Sequence, residues 1–154
     1  MPFGQPLPLH ANAQQLRAVF ETGRPLITDI FVGAATGKPR ATGAVPVGTV
    51  GKVNHALGVS FGVQQFADTL SGQKLPAEWS SSISDSKRVI AARSTSSDKF
   101  TGTSVNPEIL QRMPMADEAA FESVMKEGFP ALLVYSRSPV SRWTVAIAIP
   151  LRIV

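Results

Sequence analysis

The chain has 154 residues and a formal net charge of +4, from 15 Lys and Arg against 11 Asp and Glu. Hydrophobic residues make up 44% and charged residues 17%, enough apolar material for a packed core and too little charge for a disordered tail. The absence of Cys excludes a disulfide scaffold, a thiolate zinc centre and a Cys nucleophile.

Twelve Gly and twelve Pro favour short strands and turns over a helix bundle. No apolar run approaches the roughly 18 residues of a membrane span. The start, MPFGQPLPLHANA, lacks a basic head and an apolar core, so no signal peptide is expected. The cations are scattered from Arg17 to Arg152, with Lys87-Arg88 the only adjacent pair. Phosphate backbones demand clustered cations, so nucleic acid is not expected as a partner.

Three prolines in the first ten residues predict an extended arm. Asn12 with Gln15 forms a capping-box-like start, Leu16, Val19 and Phe20 follow at helical spacing, and Gly23 closes a helix predicted at 12–22. Strands are predicted at 25–33, at 40–48, where Pro46 marks an edge or a strand end, and at 53–61. The turns AATGKP and TVGK separate them. Val63, Phe66 and Leu70 lie on one face of a helix predicted at 63–71, with Gly72 as its cap.

WSSSIS (79–84) and VIAAR (89–93) pair as a hairpin across DSKR. Residues 94–104 read as a polar loop. Asn106-Pro107-Glu108 starts a short helix that Pro114 stops. Residues 117–127 fit helix and strand alike, and the Asp117-Glu118 pair would suit a helix start. FPALLVYS (129–136) and WTVAIAIPL (143–151) are the two best strands, joined by RSPVSR. Short helices among antiparallel hairpins make an α+β class.

Candidate chemistry is sparse. Gly58-Val59-Ser60-Phe61-Gly62 matches the G-x-S-x-G nucleophile elbow between a strand and a helix. That enzyme needs its acid and its His after the Ser, and both histidines, His10 and His55, precede Ser60. No catalysis is therefore expected, and the glycines read as a tight entry into helix 63–71. GAATGK (33–38) and VGTVGK (47–52) imitate a phosphate loop with the wrong spacing and without the following Ser or Thr, so both read as hairpin turns. Two distant histidines without Cys support no metal site, and no cofactor is expected. The polar groups of most interest are Arg93, at the end of strand 89–93, and Tyr135 and Arg137, which share a strand face with Leu133. Projected into a cleft they would suit an anionic small ligand. On sequence alone the plainer reading is favoured, with Arg93 and Arg137 in solvent at strand ends and Tyr135 on the rim.

The C-terminal half resembles the membrane-proximal part of the extracytoplasmic Cache (PAS-like, double-Cache) sensor domains of bacterial histidine kinases and related receptors. The resembling segments run in order: LPAEW (75–79), a strand ending in Asp85, VIAARS (89–94), DKFTGTSVNPEIL (98–110), EGFPALLVYSRSP (127–139) and WTVAIAIP (143–150). PFGQPLP (2–8), LRAVFETGRPLITDIFVG (16–33), VPV (45–47) and the strand around Leu57 resemble the later part of the membrane-distal module. The resemblance implies a PAS-like antiparallel sheet flanked by short helices. It implies a partial distal module at 1–62 and a proximal module at 63–154, and it tips 119–127 towards a strand. Two turns depart from the family, which carries Gly where this chain has Arg88 and Arg142, so these turns are expected to differ in shape. The Tyr, Arg, Trp and distal Asp signature of the amino-acid-binding subgroup is missing. The family also begins earlier, with a long helix, a first strand pair and a membrane helix, so the chain is expected to be a fragment or a stand-alone remnant.

The resemblance thus implies periplasmic sensing of a small molecule, with an anionic ligand allowed, by part of a membrane-anchored two-component receptor. Any kinase activity would lie outside this chain. Arg93, Tyr135 and Arg137 are the ligand-binding candidates. The alternatives are a non-sensing structural or homodimerisation module of such a receptor, and a small basic nucleic-acid-binding protein.

Overall fold

The structure, a computed structural model, describes residues 4, 10–49 and 52–154. The proline-rich arm, nearly all of PFGQPLP and the middle of the TVGK turn lie outside the described residues. The chain divides into two compact units, Met1–Val63 and Gln64–Val154.

In the first unit, α1 (Ala13–Thr22) ends at Gly23, whose φ of 64° and N–H to Val19 O make a left-handed cap. The Asn12 side chain makes no cap bond to the backbone. It donates instead to the side chain of Gln15 at 2.7 Å. The strand predicted at 25–33 is two short pieces, β1 (Leu26–Ile27) and β2 (Phe31–Val32). The break between them is fixed from a distance, because buried Thr28 and Asp29 bond to Thr42 and Gln15. Both pieces pair with β3 (Pro39–Thr49), whose other side pairs along its length with β4 (Lys52–Gly62). Pro46 lies beyond Ala44, the last residue that β1 pairs, where a missing N–H costs no ladder bond on that side.

In the second unit, five antiparallel strands stand in the order β6-β5-β9-β8-β7. They are β5 (Ser80–Ser84), β6 (Ile90–Arg93), β7 (Glu118–Val124), β8 (Pro130–Arg137) and β9 (Thr144–Pro150). The first and last strands of the unit, β5 and β9, pair side by side, which closes the order. Residues 117–127 are therefore strand, and Asp117-Glu118 caps no helix. β8 alternates cleanly: Ala131, Leu133, Tyr135 and Arg137 are buried, whereas Pro130, Val134 and Ser136 are exposed.

On the face carrying Ala131 and Leu133 lies α4 (Pro107–Arg112), whose Ile109 joins Ala148 in one core with Val105, Phe121, Met125 and Phe129 packed against it. Asn106 holds this helix in place. Its Oδ1 accepts from Glu108 N at 3.2 Å, and its Nδ2 donates to Val124 O at 3.1 Å. On the other face α2 (Gln64–Ser71) buries Ala67 and Leu70 against Ala92, with Phe66 and Ile83 beside them. Each fully buried Leu or Phe contributes about 1.5–3 kcal/mol. The 94–104 loop holds one helical turn, α3 (Ser97–Phe100), which buries Phe100. Gly72 donates its N–H to Asp68 O at 3.0 Å without a positive φ, and the positive φ comes two residues later, at Lys74 (50°).

Candidate functional site

A cavity of about 50 Å³ lies in the second unit between the sheet and α4. Its apolar wall includes Ile109, Met125 and Leu133. Its polar wall is built from Arg93, Asn106 and Lys126, with Ser84 and Thr144 among the sheet residues. Several water-sized groups fit such a space, enough for a ligand of a few heavy atoms.

Arg93 ends β6 and is only 4% exposed. Its guanidinium stacks over the Phe100 ring at 4.7 Å, with Nη2 2.8 Å from Glu127 Oε1. Nη2 has no aligned hydrogen-bond acceptor, so this contact is an ion pair rather than a directed hydrogen bond. Glu127 sits in the β7–β8 turn, closed by Gly128 N to Met125 O and by Gly128 at φ 90°. Lys126 donates to Thr103 Oγ1 at 2.9 Å, and its Nζ also lies 5.5 Å from the Phe100 ring. The wall carries two cations, Arg93 and Lys126, and Glu127, which does not line the cavity, offsets one of them through its ion pair with Arg93.

Tyr135 and Arg137 share the buried face of β8 with Leu133, yet neither lines this cavity. Neither is a rim residue or a solvated strand end, since they are 3% and 8% exposed. The Tyr135 hydroxyl donates between Pro114 O at 2.9 Å and Ala116 O at 3.0 Å. Arg137 Nη2 donates to Met113 Sδ at 3.4 Å, and Met113 does line the cavity. Arg137 thus stands one side chain behind the wall. Sequence reading missed Asn106, Lys126 and Thr144 as wall residues; the Asn-Pro-Glu helix start was visible, but not what lies beside it.

At the two positions where the resembling family carries Gly, this chain's backbone is one that glycine adopts readily. Arg88 has φ 67° and Arg142 has φ 60°, both left-handed. Asp117 faces arginines: Arg142 Nη1 at 3.0 Å and Arg137 Nη1 at 3.7 Å.

Ser60 does not stand on an elbow. It lies within β4, neither Gly58 nor Gly62 has a positive φ, and its hydroxyl shares a short hydrogen bond with Thr42. His10 packs tilted against Phe31 with ring centroids 5.0 Å apart, and His55 is exposed on β4. Among the described residues no group of His, Cys, Asp and Glu could hold a metal. GAATGK forms the β2–β3 turn, with Gly33 N bonded to Lys38 O. No helix among the described residues is long and apolar enough to cross a membrane.

No family model and no curated protein matches the sequence. Solved structures do match in fold. The extracellular domain of the histidine-kinase candidate mmHK1S-Z3 superposes with a TM-score of 0.78 at 14% identity, covering 94% of this chain and 56% of that one. That of the histidine-kinase candidate rpHK1S-Z16 gives 0.71 at 17%, covering 96% and 64%. The ligand-binding domain of the Pseudomonas aeruginosa PAO1 amino-acid chemoreceptor PctB, solved with L-Arg, gives 0.69 at 14%, covering 99% and 64%. The chain therefore spans 56–64% of the length of these three chains. The fold is α+β with antiparallel sheets and few short helices, the Cache-like fold of extracellular sensor domains.

Proposed function

We propose that the chain is part of the extracytoplasmic sensor region of a bacterial membrane receptor of the histidine-kinase or chemoreceptor kind. In this reading Met1–Val63 is the later part of a membrane-distal module and Gln64–Val154 a membrane-proximal one. The protein is not itself a catalyst. Its second unit captures a short anionic ligand, a monocarboxylate of two to four carbons, in the cavity under α4. The observation that carries this is the buried Arg93 on the cavity wall: a cation taken out of water, beside Lys126, in a space of about 50 Å³. A carboxylate there gains charge-assisted hydrogen bonds, while its short tail meets Ile109 and Leu133. Arg137, behind Met113, supports the wall and adds positive potential. Ligand that prefers one packing of α4 on the sheet shifts the population of that packing, which is the elementary act of a sensor.

Thermal unfolding in acetate, propionate and lactate, against propanol and methyl acetate as neutral analogues, tests the proposal. The carboxylates are expected to raise Tm by about 2–4 °C at ten times Kd, and the neutral analogues to do nothing. Ala146→Val, which fills the cavity from β9, is expected to abolish the response. Equal responses to acid and neutral analogue, or an unchanged response in Ala146→Val, overturn the assignment of this cavity.

A further inference from the structure

Both left-handed arginines of the second unit return their side chains to the same end of the sheet. Arg88 Nη1 donates to Thr144 Oγ1 at 2.8 Å. Thr144 is the register partner of Arg137 across β8 and β9. Arg137 and Arg142 reach the same oxygen of Asp117, at 3.7 and 3.0 Å. Left-handed φ is unfavourable for any residue with a Cβ, and such outliers concentrate where function requires them.

The charges at this end do not balance. Arg137 and Arg142 share the half-exposed carboxylate of Asp117, and the carboxylate acting on Arg88 is Asp85, whose Oδ1 accepts the backbone N–H groups of Lys87 and Val89. Burial first, and then the charges of Arg137 and Arg142, hold the Arg88 pKa below its ordinary value. Arg137 has a side chain only 7% exposed, and its Nε is buried without a hydrogen-bond partner. A buried N–H donor without a partner, beside two further guanidiniums, is a place where an anion would gain charge-assisted hydrogen bonds.

We propose that Arg88, Arg137 and Arg142 form a binding site for a small tetrahedral oxyanion of the phosphate or sulfate class. Guanidinium forks match such an anion, and a tetrahedral anion has enough oxygens to serve three of them at once, where a carboxylate has two. The site is distinct from the Arg93 cavity: Thr144 is the only one of its residues that lines that cavity, Arg137 stands behind the cavity wall, and the phosphate response is read separately from any carboxylate response.

The test compares thermal unfolding of the protein in sodium phosphate, sodium sulfate and sodium chloride at equal ionic strength. Phosphate or sulfate is expected to raise Tm by about 3 °C over chloride at ten times Kd. The double variant Arg88→Gly/Arg142→Gly suits both backbone conformations, so it is expected to be at least as stable as the parent in chloride and to lose the phosphate and sulfate response. A merely structural role for these arginines predicts the opposite, lower stability in every buffer. If the double variant does not fold, Arg142→Gly alone carries the test, with phosphate affinity by calorimetry expected to fall at least about threefold. A wild-type response no greater than in chloride, or a variant that keeps the wild-type response, overturns the proposal.

Discussion

Arg93 and Glu127 form an unequal ion pair: Nη2 and Oε1 are 2.8 Å apart, but the arginine side chain is 4% exposed and the glutamate 26%. The two partners therefore have different alternatives when the pair is broken. Glu127 can turn to water, while Arg93, pinned over Phe100, cannot. Glu127→Gln is expected to destabilise by about 2–3 kcal/mol, because it strands a buried cation. Arg93→Met, which keeps the packing on Phe100, is expected to cost less, about 1 kcal/mol. Urea unfolding of the two variants checks the order, and a larger loss for Arg93→Met contradicts it.

The Tyr135 hydroxyl is not a free ligand group but a tie for the segment that enters β7. It holds Pro114 O and Ala116 O, and its ring meets Phe121 edge-on with centroids 6.1 Å apart. Tyr135→Phe keeps the ring contact and removes the tie. The expected loss is about 1–2 kcal/mol in chemical denaturation, with faster amide exchange confined to 113–118. A protection loss spread evenly over the second unit contradicts this role.

Much of the second unit is legible in sequence because its signals are local. β8 and β9 alternate, and Asn106-Pro107-Glu108 carries cap and first-turn chemistry on three adjacent residues. What escaped was fixed by distant partners. The break between β1 and β2 depends on Thr42 and Gln15. The helical turn α3 exists to bury Phe100 under Arg93, Lys99 and Lys126, and a single Phe among Ser, Thr and Gly announces none of that. A run of serines does not announce burial, yet Ser80, Ser81 and Ser84 of β5 are buried and Ser82 and Ser84 line the cavity. Of the candidate residues, Arg93 reaches the cavity, whereas Tyr135 and Arg137 share the β8 face without lining it. Strand parity gave the face, but only the position of α4 decides how far along that face the cavity extends.

Gln15 and Asp29 join α1 to the break between β1 and β2 by two bonds. Gln15 Nε2 donates to Asp29 Oδ2 at 2.6 Å, and Gln15 Oε1 accepts from Asp29 N at 2.8 Å. Asp29 is 3% exposed, so losing the amide removes two bonds from a buried place. Gln15→Ala is expected to cost about 2 kcal/mol, and Gln14→Ala, on the exposed side of the same helix, close to nothing. Hydrogen exchange over α1 reads the difference, and equal effects of the two variants contradict the role of the tie.

The two glycines Gly43 and Gly48 on β3 offer the sharpest contrast in the first unit. A Cβ on Gly48 would stand 2.1 Å from the Lys52 carbonyl oxygen, at the bulge where the register with β4 shifts. That neighbour is backbone, so relief requires the hairpin end to open. A Cβ on Gly43 meets nothing within 4 Å, and its φ is not positive. Gly48→Ala is expected to destabilise by about 2 kcal/mol or more, whereas Gly43→Ala is expected to be neutral or to stabilise by about 0.5 kcal/mol through the unfolded chain. Thermal unfolding of both variants, followed by tyrosine-independent far-UV dichroism because the sole Tyr lies in the second unit, checks the pair. Equal shifts would mean that the β3–β4 hairpin end is not held as close as Gly48 permits.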